Sequence, residues 1–123
     1  MGQRLEGKRA VITGGGRGIG KAIALSYVRE GAQCVVTSRK LDDLEATSEE
    51  GPEGTIKPFV CDVSNDESVA AMAEFVNDEF GGVDIVVNNA GIHAAGRFLD
   101  IDPATYTRLY EVNVVGIVRV SQA

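Results

Sequence analysis

The sequence has no tryptophan, one histidine, two cysteines and three prolines, and its basic residues are in the minority. Its 12 lysines and arginines stand against 18 aspartates and glutamates, which gives a net charge of -6. This balance disfavours nucleic acid or an anionic membrane surface as the main partner, because both attract basic proteins. Any anionic ligand must therefore be held locally, by a few basic side chains and oriented backbone amides.

Long apolar segments are also absent from the sequence. No run approaches the roughly 20 residues that a membrane-spanning helix needs, and the polar start MGQRLEGKR lacks the apolar stretch of a secretory signal peptide. Cys34 and Cys61 lie in short apolar segments, which predicts two buried free thiols and favours a reducing, cytoplasmic setting. With so few histidines and cysteines, we expect no metal site.

Four short segments rich in β-branched residues alternate with helical patterns along the 123 residues. The predicted strands are residues 9–13, 34–37, 56–61 and 84–87. Pro58 cannot donate a hydrogen bond within a sheet, so it either weakens the third strand or places that strand at an edge. The strict alternation of strand and helix predicts one α/β domain with an open, doubly wound parallel sheet.

The predicted helices begin and end at recognisable residues. They cover residues 18–30 and 41–50, begin near Ser64 and at Asp102, and end the chain with 112–123. Ser64 and Glu67 have the spacing of a capping box, and Asp102 precedes Pro103 as an N-cap precedes a first-turn proline. The face predicted for the first helix consists of Ile19, Ala22, Ile23, Ser26 and Tyr27.

The stretch VITGGGRGIGKA, residues 11–22, joins the first strand to the first helix and permits two interpretations. In the first, Gly15, Gly20 and Lys21 have the spacing of a P-loop that binds a nucleoside triphosphate. That loop needs a hydroxyl after its lysine to hold magnesium, and Ala22 has none. Lys21 is then more simply an exposed residue in the first helical turn.

In the second interpretation, Gly14, Gly18 and Gly20 form a dinucleotide-binding turn. Glycines at such positions let a pyrophosphate approach the backbone, and the helix N-terminus supplies free amides and a partial positive charge. Ligands of doubly wound sheets bind at this corner, beyond the carboxyl ends of the strands. The dinucleotide therefore accounts for more of the residues than the triphosphate does.

The end of the second strand indicates which dinucleotide is favoured. A protein that holds the free ribose of NAD usually places a carboxylate there, roughly 20 residues beyond the glycines. Here the position is Ser38, followed by Arg39, and Arg17 in the glycine loop can reach the same place. A hydroxyl and two guanidinium groups suit a 2′-phosphate, so NADP(H) is favoured over NAD(H). The alternative is that Arg39 and Lys40 merely face water.

With these residues the sequence resembles the short-chain dehydrogenase/reductase family, which includes the 3-oxoacyl-carrier-protein reductases. Residues 13–20 (TGGGRGIG) are similar to its cofactor loop and residues 88–91 (NNAG) to its Asn-Asn-Ala-Gly signature. The resemblance implies that Asp62, in the segment Cys-Asp-Val, binds the adenine amino group, and that Asn113 supports a proton relay at the active site. It also implies a Rossmann-type fold, truncated after about four strands.

The predicted cofactor-binding residues are Gly14, Arg17, Gly18, Ile19, Gly20, Ser38, Arg39, Asp62, Val63, Asn89, Ala90 and Gly91. The predicted catalytic residue is Asn113. His93 is interpreted as a loop residue near the cofactor rather than as a general base, since no partner adjoins it in sequence. The carboxylates of residues 42–50 are interpreted as a solvated helix face.

The Tyr-x-x-x-Lys pair that the resemblance implies for catalysis does not occur, because none of the three tyrosines has a lysine four residues later. We therefore expect residues 1–123 to be an incomplete NADP(H)-binding half-domain that ends inside a helix and transfers no hydride alone. A carbonyl or alcohol would be the substrate of a longer form. A fourth strand without a fifth also predicts self-association. The alternatives are a non-catalytic nucleotide-binding or interaction module and, more remotely, a P-loop hydrolase.

Overall fold

The computed structural model describes residues 3–91 and 100–123, so His93 lies outside the described residues. The strands are β1 (Arg9–Thr13), β2 (Gln33–Ser38), β3 (Ile56–Val60) and β4 (Ile85–Val87). Helices α1 (Gly18–Arg29), α2 (Leu41–Glu50) and α3 (Asp66–Phe80) separate the strands, and α4 (Pro103–Tyr110) and α5 (Gly116–Gln122) follow. The predicted alternation of strand and helix is confirmed.

The strands form one parallel sheet in the order β3-β2-β1-β4. Thr13 pairs with Thr37, and Ser38 pairs with Val60, so the carboxyl ends of β1, β2 and β3 meet at one edge. Pro58 lies in the edge strand β3, as one of the two sequence interpretations required. β4 is the other edge among the described strands, and self-association through it stays a prediction.

The two faces of the sheet are covered by different helices. Val11 and Val35 pack on one face with Val69 and Met72 of α3, whereas Ile12 and Val36 pack on the other with Ala24 of α1. Alternate residues of a strand point to opposite faces, so apolar runs are needed where both faces are covered. This arrangement confirms the doubly wound α/β class. In the part of the chain that the structure describes, no helix is long and apolar enough to cross a bilayer.

Both cysteines are buried free thiols, as predicted. Burial raises the pKa of Cys34 to about 12 and raises that of Cys61 as well. Both side chains are therefore neutral and act as small apolar groups of the core.

The face predicted for α1 is only partly correct, because Ile23 and Tyr27 pack against the core but Ile19, Ala22 and Ser26 are exposed. The residues that face the sheet are Gly20, Ala24 and Val28, whereas Ile19 is 73% exposed. A Cβ on Gly20 would stand 2.2 Å from the carbonyl oxygen of Gly14. The helix therefore approaches the strand end through its smallest residue, and the four-residue spacing then directs Ala24 and Val28 inward.

The N-caps of the later helices are partly as predicted. Asp102 caps α4 by accepting from the backbone N–H of Ala104, with Pro103 in the first turn, which confirms that prediction. The capping box at Ser64 is wrong, because Asn65 caps α3 by accepting from the N–H of Ser68 at 2.8 Å. The Ser64 hydroxyl instead donates to Asp62, two residues earlier.

The two helices predicted after Asp102 form one continuous helical run. A π-helical segment, Glu111–Val115, joins α4 to α5, and the residues at both junctions keep right-handed helical dihedral angles. Arg119 donates to Glu111 at 2.9 Å and to Asp66 at 2.6 Å, so it links the π segment to the start of α3.

An ion pair joins the start of β1 to the residue before β4. The Arg9 Nε donates to an Asp84 carboxylate oxygen at 3.0 Å, and the backbone N–H of Arg9 donates to the same oxygen at 2.9 Å. The hydrogen bond from the Arg9 side chain is the main cause that lowers the pKa of Asp84 from 3.8 to about 2. The pair holds the two strands in register.

We expect Asp84→Asn to remove a pH-dependent part of the stability. A carboxyl with a depressed pKa stabilises the folded state above its unfolded pKa, and that contribution is lost as the pH falls through the folded value. The free energy of unfolding of the wild type should therefore exceed that of the variant most at about pH 6, and this difference should shrink toward about pH 2.5. Urea unfolding at the two pH values measures it, and a gap independent of pH would contradict the prediction.

Candidate functional site

A cleft of about 370 Å³ lies beyond the carboxyl ends of β1, β2 and β3. Four segments meet there: the loop before α1, the end of β2 with the start of α2, the end of β3, and the segment after β4. The lining residues are Gly14, Gly16, Arg17, Gly18, Thr37, Ser38, Arg39, Lys40, Asp43, Cys61, Asp62, Val63, Asn89, Ala90, Gly91 and Val112.

All of the predicted site residues except Ile19, Gly20 and Asn113 line this cleft. Ile19 projects into solvent, and Gly20 is buried beneath the loop. Sequence reasoning missed Gly16, Thr37, Lys40 and Asp43 as lining residues, and also Cys61 and Val112. Thr37 and Lys40 flank the predicted pair Ser38–Arg39. Their position at the carboxyl end of a parallel strand would have been enough to predict them as lining residues, because ligands of such sheets bind there. The interpretation of residues 42–50 as a solvated face is wrong for Asp43, which is half-buried in the wall of the cleft.

The glycine loop forms a cradle that side chains would fill. Gly14 has φ 67°, and a Cβ on Gly20 would also stand 2.5 Å from Nδ2 of Asn89. Gly18 has φ 60° and open space where a Cβ would stand. α1 begins there, and its N-cap residue, Arg17, makes no side-chain hydrogen bond to the helix. The first-turn amides therefore remain available to an anion in the cleft.

Thr13, the last residue of β1, joins the glycine loop to the segment after β4. Its Oγ1 accepts from the backbone N–H groups of Asn89 and Ala90, both at 2.9 Å, and donates to the carbonyl of Val87 at 3.3 Å. The Asn89 side chain donates to the carbonyl of Gly14 at 3.2 Å. Thr13 and Asn89 thus fix two walls of the cleft against each other.

Three cationic side chains line one end of the cleft: Arg17, Arg39 and Lys40. All three are exposed, and none forms an ion pair with any residue in 3–91 or 100–123. Ser38 holds the turn between them, since its Oγ accepts from the N–H of Lys40 at 3.1 Å. This end of the cleft therefore presents unpaired positive charge around a serine hydroxyl.

Lys21 has another partner. The prediction that it is an exposed residue is wrong, because it is half-buried and forms an ion pair with Glu50 at the end of α2. It does not line the cleft. A P-loop lysine must point at the phosphates in its loop, so this geometry speaks against a triphosphate site.

Asp62 both lines the cleft and shapes the turn after β3. Its Oδ1 accepts from the N–H of Ser64 at 2.9 Å and from the Ser64 hydroxyl at 2.5 Å. The hydrogen bond from the hydroxyl is the main cause that lowers the pKa of Asp62, and the charges of Arg39 and Arg108 act in the same direction. Asp62 is therefore ionised near neutral pH, and its Oδ2 receives no hydrogen bond from a described residue.

Asn113 lies in the π-helical segment, half-buried, beside the segment after β4. A Cβ on Gly91 would stand 3.3 Å from Oδ1 of Asn113, so the helix and this segment are in close contact. The structure thus brings Asn113 next to Gly91 at the border of the cleft rather than into its lining.

Residues 8–123 match the short chain dehydrogenase family. The chain belongs to the short-chain dehydrogenase/reductase family. It is 45% identical over 109 residues to a probable oxidoreductase, EphD, of Mycobacterium tuberculosis, covering 87% of this chain and 18% of that protein. It is 40% identical over 126 residues to a 3-oxoacyl-[acyl-carrier-protein] reductase of Vibrio cholerae, covering 97% of this chain and 48% of the reductase.

Among solved structures, the chain resembles a 3-ketoacyl-(acyl-carrier-protein) reductase from Brucella melitensis complexed with NADH. The identity is 34% and the TM-score 0.91, covering 96% of this chain and 48% of the reductase. This short-chain dehydrogenase/reductase chain thus spans less than half the length of these relatives. Its α/β fold and sheet order match the N-terminal half of the family's structures.

Two threonines of the short-chain dehydrogenase/reductase chain provide a matched test of how this site is built. Thr13 and Thr37 are both buried and are paired in the sheet, but Thr37 Oγ1 has no hydrogen-bond partner among the described residues. We expect Thr13→Val to lower the free energy of unfolding by about 2 kcal/mol, because two backbone N–H groups lose their acceptor.

Thr37→Val, the control, should change the free energy of unfolding by less than about 0.5 kcal/mol or raise it, since no partner is lost. Urea denaturation of both variants measures the difference. Equal effects of the two substitutions would show that the Thr13 hydroxyl does not hold the segment after β4.

Proposed function

We propose that this chain is the NADP(H)-binding portion of a short-chain dehydrogenase/reductase. The observation that carries the proposal is the cleft in which a glycine cradle, an uncapped helix N-terminus and three unpaired cations meet. When bound, the cofactor exchanges a hydride with a carbonyl or an alcohol. The residues of this chain hold and orient it.

The cradle fits a pyrophosphate. Gly14 and Gly18 leave the loop backbone bare, and the first-turn amides of α1 point where an anion gains from the helix dipole. Thr37, which lines the cleft, has a buried hydroxyl that forms no hydrogen bond with a described residue. We infer that the pyrophosphate lies over Gly18.

The part of the cleft next to Arg39 fits an adenosine, whose ribose would carry the 2′-phosphate. Asp62 is ionised, and in our proposal its Oδ2 accepts a hydrogen bond from the amino group of adenine. The apolar side chain of Val63 packs against the adenine ring. Asn89, Ala90 and Gly91 form the opposite wall and hold the ribose nearer the nicotinamide. Asn113, beside Gly91, supports proton movement in a longer chain that supplies the remaining catalytic groups.

The preference for NADP(H) rests on the charges of this chain. The relative from Brucella melitensis is complexed with NADH, so the family also accommodates a free ribose. Here Ser38 occupies the position of the usual carboxylate, and Arg17 and Arg39 make no ion pair with a described residue. A 2′-phosphate would bind these two guanidinium groups, which have no carboxylate partner in residues 3–91 or 100–123.

Calorimetric titration with NADPH and with NADH tests the proposal. We expect the wild type to bind NADPH about tenfold or more tightly than NADH, because hydrogen bonds to charged groups add roughly 1.5–3 kcal/mol. Arg39→Gln should lower the NADPH affinity by about tenfold and leave that for NADH within about twofold.

Arg29→Gln is the matched control, since Arg29 is exposed at the end of α1 and does not line the cleft. It removes the same charge and should leave both affinities unchanged. A loss of both affinities in Arg39→Gln would contradict the assignment to the phosphate. Failure of the wild type to bind either nucleotide would overturn the proposed function.

We also propose that this chain alone does not turn over a carbonyl substrate, since it has no Tyr-x-x-x-Lys pair to protonate the carbonyl oxygen. Purified protein mixed with NADPH and a panel of ketones should show no protein-dependent loss of NADPH absorbance. Turnover that rises in proportion to protein concentration would show that another group of this chain supplies the proton.

A further inference from the structure

Asp43, in the first turn of α2, lies where the 2′-phosphate end of the cleft is proposed. It is half-buried, and it lines both the main cleft and an adjoining groove that contains Arg17 and Lys40. The point where a Cβ on Gly16 would stand is 2.8 Å from Cβ of Asp43 and 3.4 Å from Oγ of Ser38. Asp43 and Ser38 therefore flank the same part of the glycine loop.

The backbone of Asp43 is held in place by a hydrogen bond from the side chain of Thr47. The Thr47 hydroxyl, which is fully buried, is 3.2 Å from the carbonyl oxygen of Asp43 and 3.2 Å from that of Gly16. This shared donor ties the first turn of α2 to the glycine loop. Asp43 thus has a fixed place in the wall of the cleft, unlike an exposed carboxylate on the outer face of the same helix.

The carboxylate of Asp43 forms no ion pair or hydrogen bond with the described residues, although Arg17, Arg39 and Lys40 line the same cleft. A negative charge at this place opposes a phosphate dianion through space. The same carboxylate is a good acceptor for the hydroxyl group of a free ribose. Asp43 therefore weakens the binding of NADP(H), which carries the 2′-phosphate, and strengthens the binding of NAD(H), which carries a 2′-hydroxyl.

We propose that Asp43 is a specificity-determining residue that limits the preference for a 2′-phosphate and lets the site also accept a 2′-hydroxyl. The inference rests on the proposed function of the cleft. The three cations favour the phosphorylated ribose, and Asp43 subtracts from that preference. The selectivity of the chain is then the balance between the three cations and one carboxylate.

The experiment compares adenosine 2′,5′-bisphosphate with adenosine 5′-monophosphate by calorimetric titration of the chain. These two probes differ only in the 2′-phosphate. Asp43→Asn should raise the affinity for the bisphosphate by about three- to tenfold at low salt, because one repulsive charge is removed at short range. The affinity for the monophosphate should stay the same or fall by up to about threefold. Asp43→Ser, a second neutral replacement, should give the same gain.

Two controls separate position from net charge. Glu45→Gln removes one charge from an exposed residue of α2 that lines neither the cleft nor the groove. Asp42→Asn removes one charge from the same first turn, so it matches any change in helix stability. Asp42 lines the groove but not the cleft, so this control separates a charge in the cleft from one in the groove. Both should raise the affinity for the bisphosphate by less than about twofold.

The outcomes distinguish this inference from the proposed function. A wild type that binds the bisphosphate, with Asp43→Asn giving no gain or an equal gain for both probes, would overturn the role of Asp43 alone. An equal gain in Glu45→Gln would also overturn it, since the effect would then reflect net charge. A wild type that binds neither probe would overturn the proposed function and this inference with it.

Discussion

The approach of the glycine loop to the start of α1 is the constraint on which the rest of the cleft depends. The carbonyl oxygen of Gly14 lies where any side chain on Gly20 would have to stand, and Asn89 donates to that same oxygen. Because Gly20 has no side chain, the N-terminus of α1 lies directly against the end of β1. The adjoining segments are then arranged around a fixed backbone corner.

Hydrogen bonds to side chains extend that corner into a site. Thr13 binds the segment after β4, and Thr47 binds the first turn of α2 to Gly16, so two segments distant in sequence are held against the loop. A buried threonine with saturated partners is rigid, since breaking its bonds leaves N–H groups without acceptors. The walls of the cleft are therefore held together by hydrogen bonds within the chain.

A few exposed cations give the cleft its affinity for an anion, although the net charge of the chain is negative. The cations near Ser38 are exposed and form no ion pair within the described part of the chain, whereas Lys21 and Arg9 pair with carboxylates. A local group of cations can bind an anion in an acidic protein because fields from exposed charges fade over about 10 Å. A basic residue is therefore available to a bound anion only if the fold does not pair it with a carboxylate of the chain.

Much of the fold and of the cleft could be predicted from sequence, because alternating strands and helices in a parallel sheet place each strand's carboxyl end at one edge. The glycines, Ser38, Arg39, Asp62 and the segment after β4 follow from that rule. Ser64, α1 and Lys21 could not be assigned correctly from local pattern. Asn65 is an equally good N-cap next to Ser64. For α1 and Lys21, the outcome depends on how the helix packs against the sheet and on the ion pair with Glu50.

The sequence by itself determined the alternation of strands and helices, the position of the glycine turn and the family of the chain, since these depend on spacing along the backbone. Only the tertiary structure decided that Gly20 rather than Ile19 faces the sheet, that Thr13 holds the segment after β4, and that Asp43 enters the cleft. Those facts depend on contacts between residues far apart in sequence, for which a local pattern has no signal.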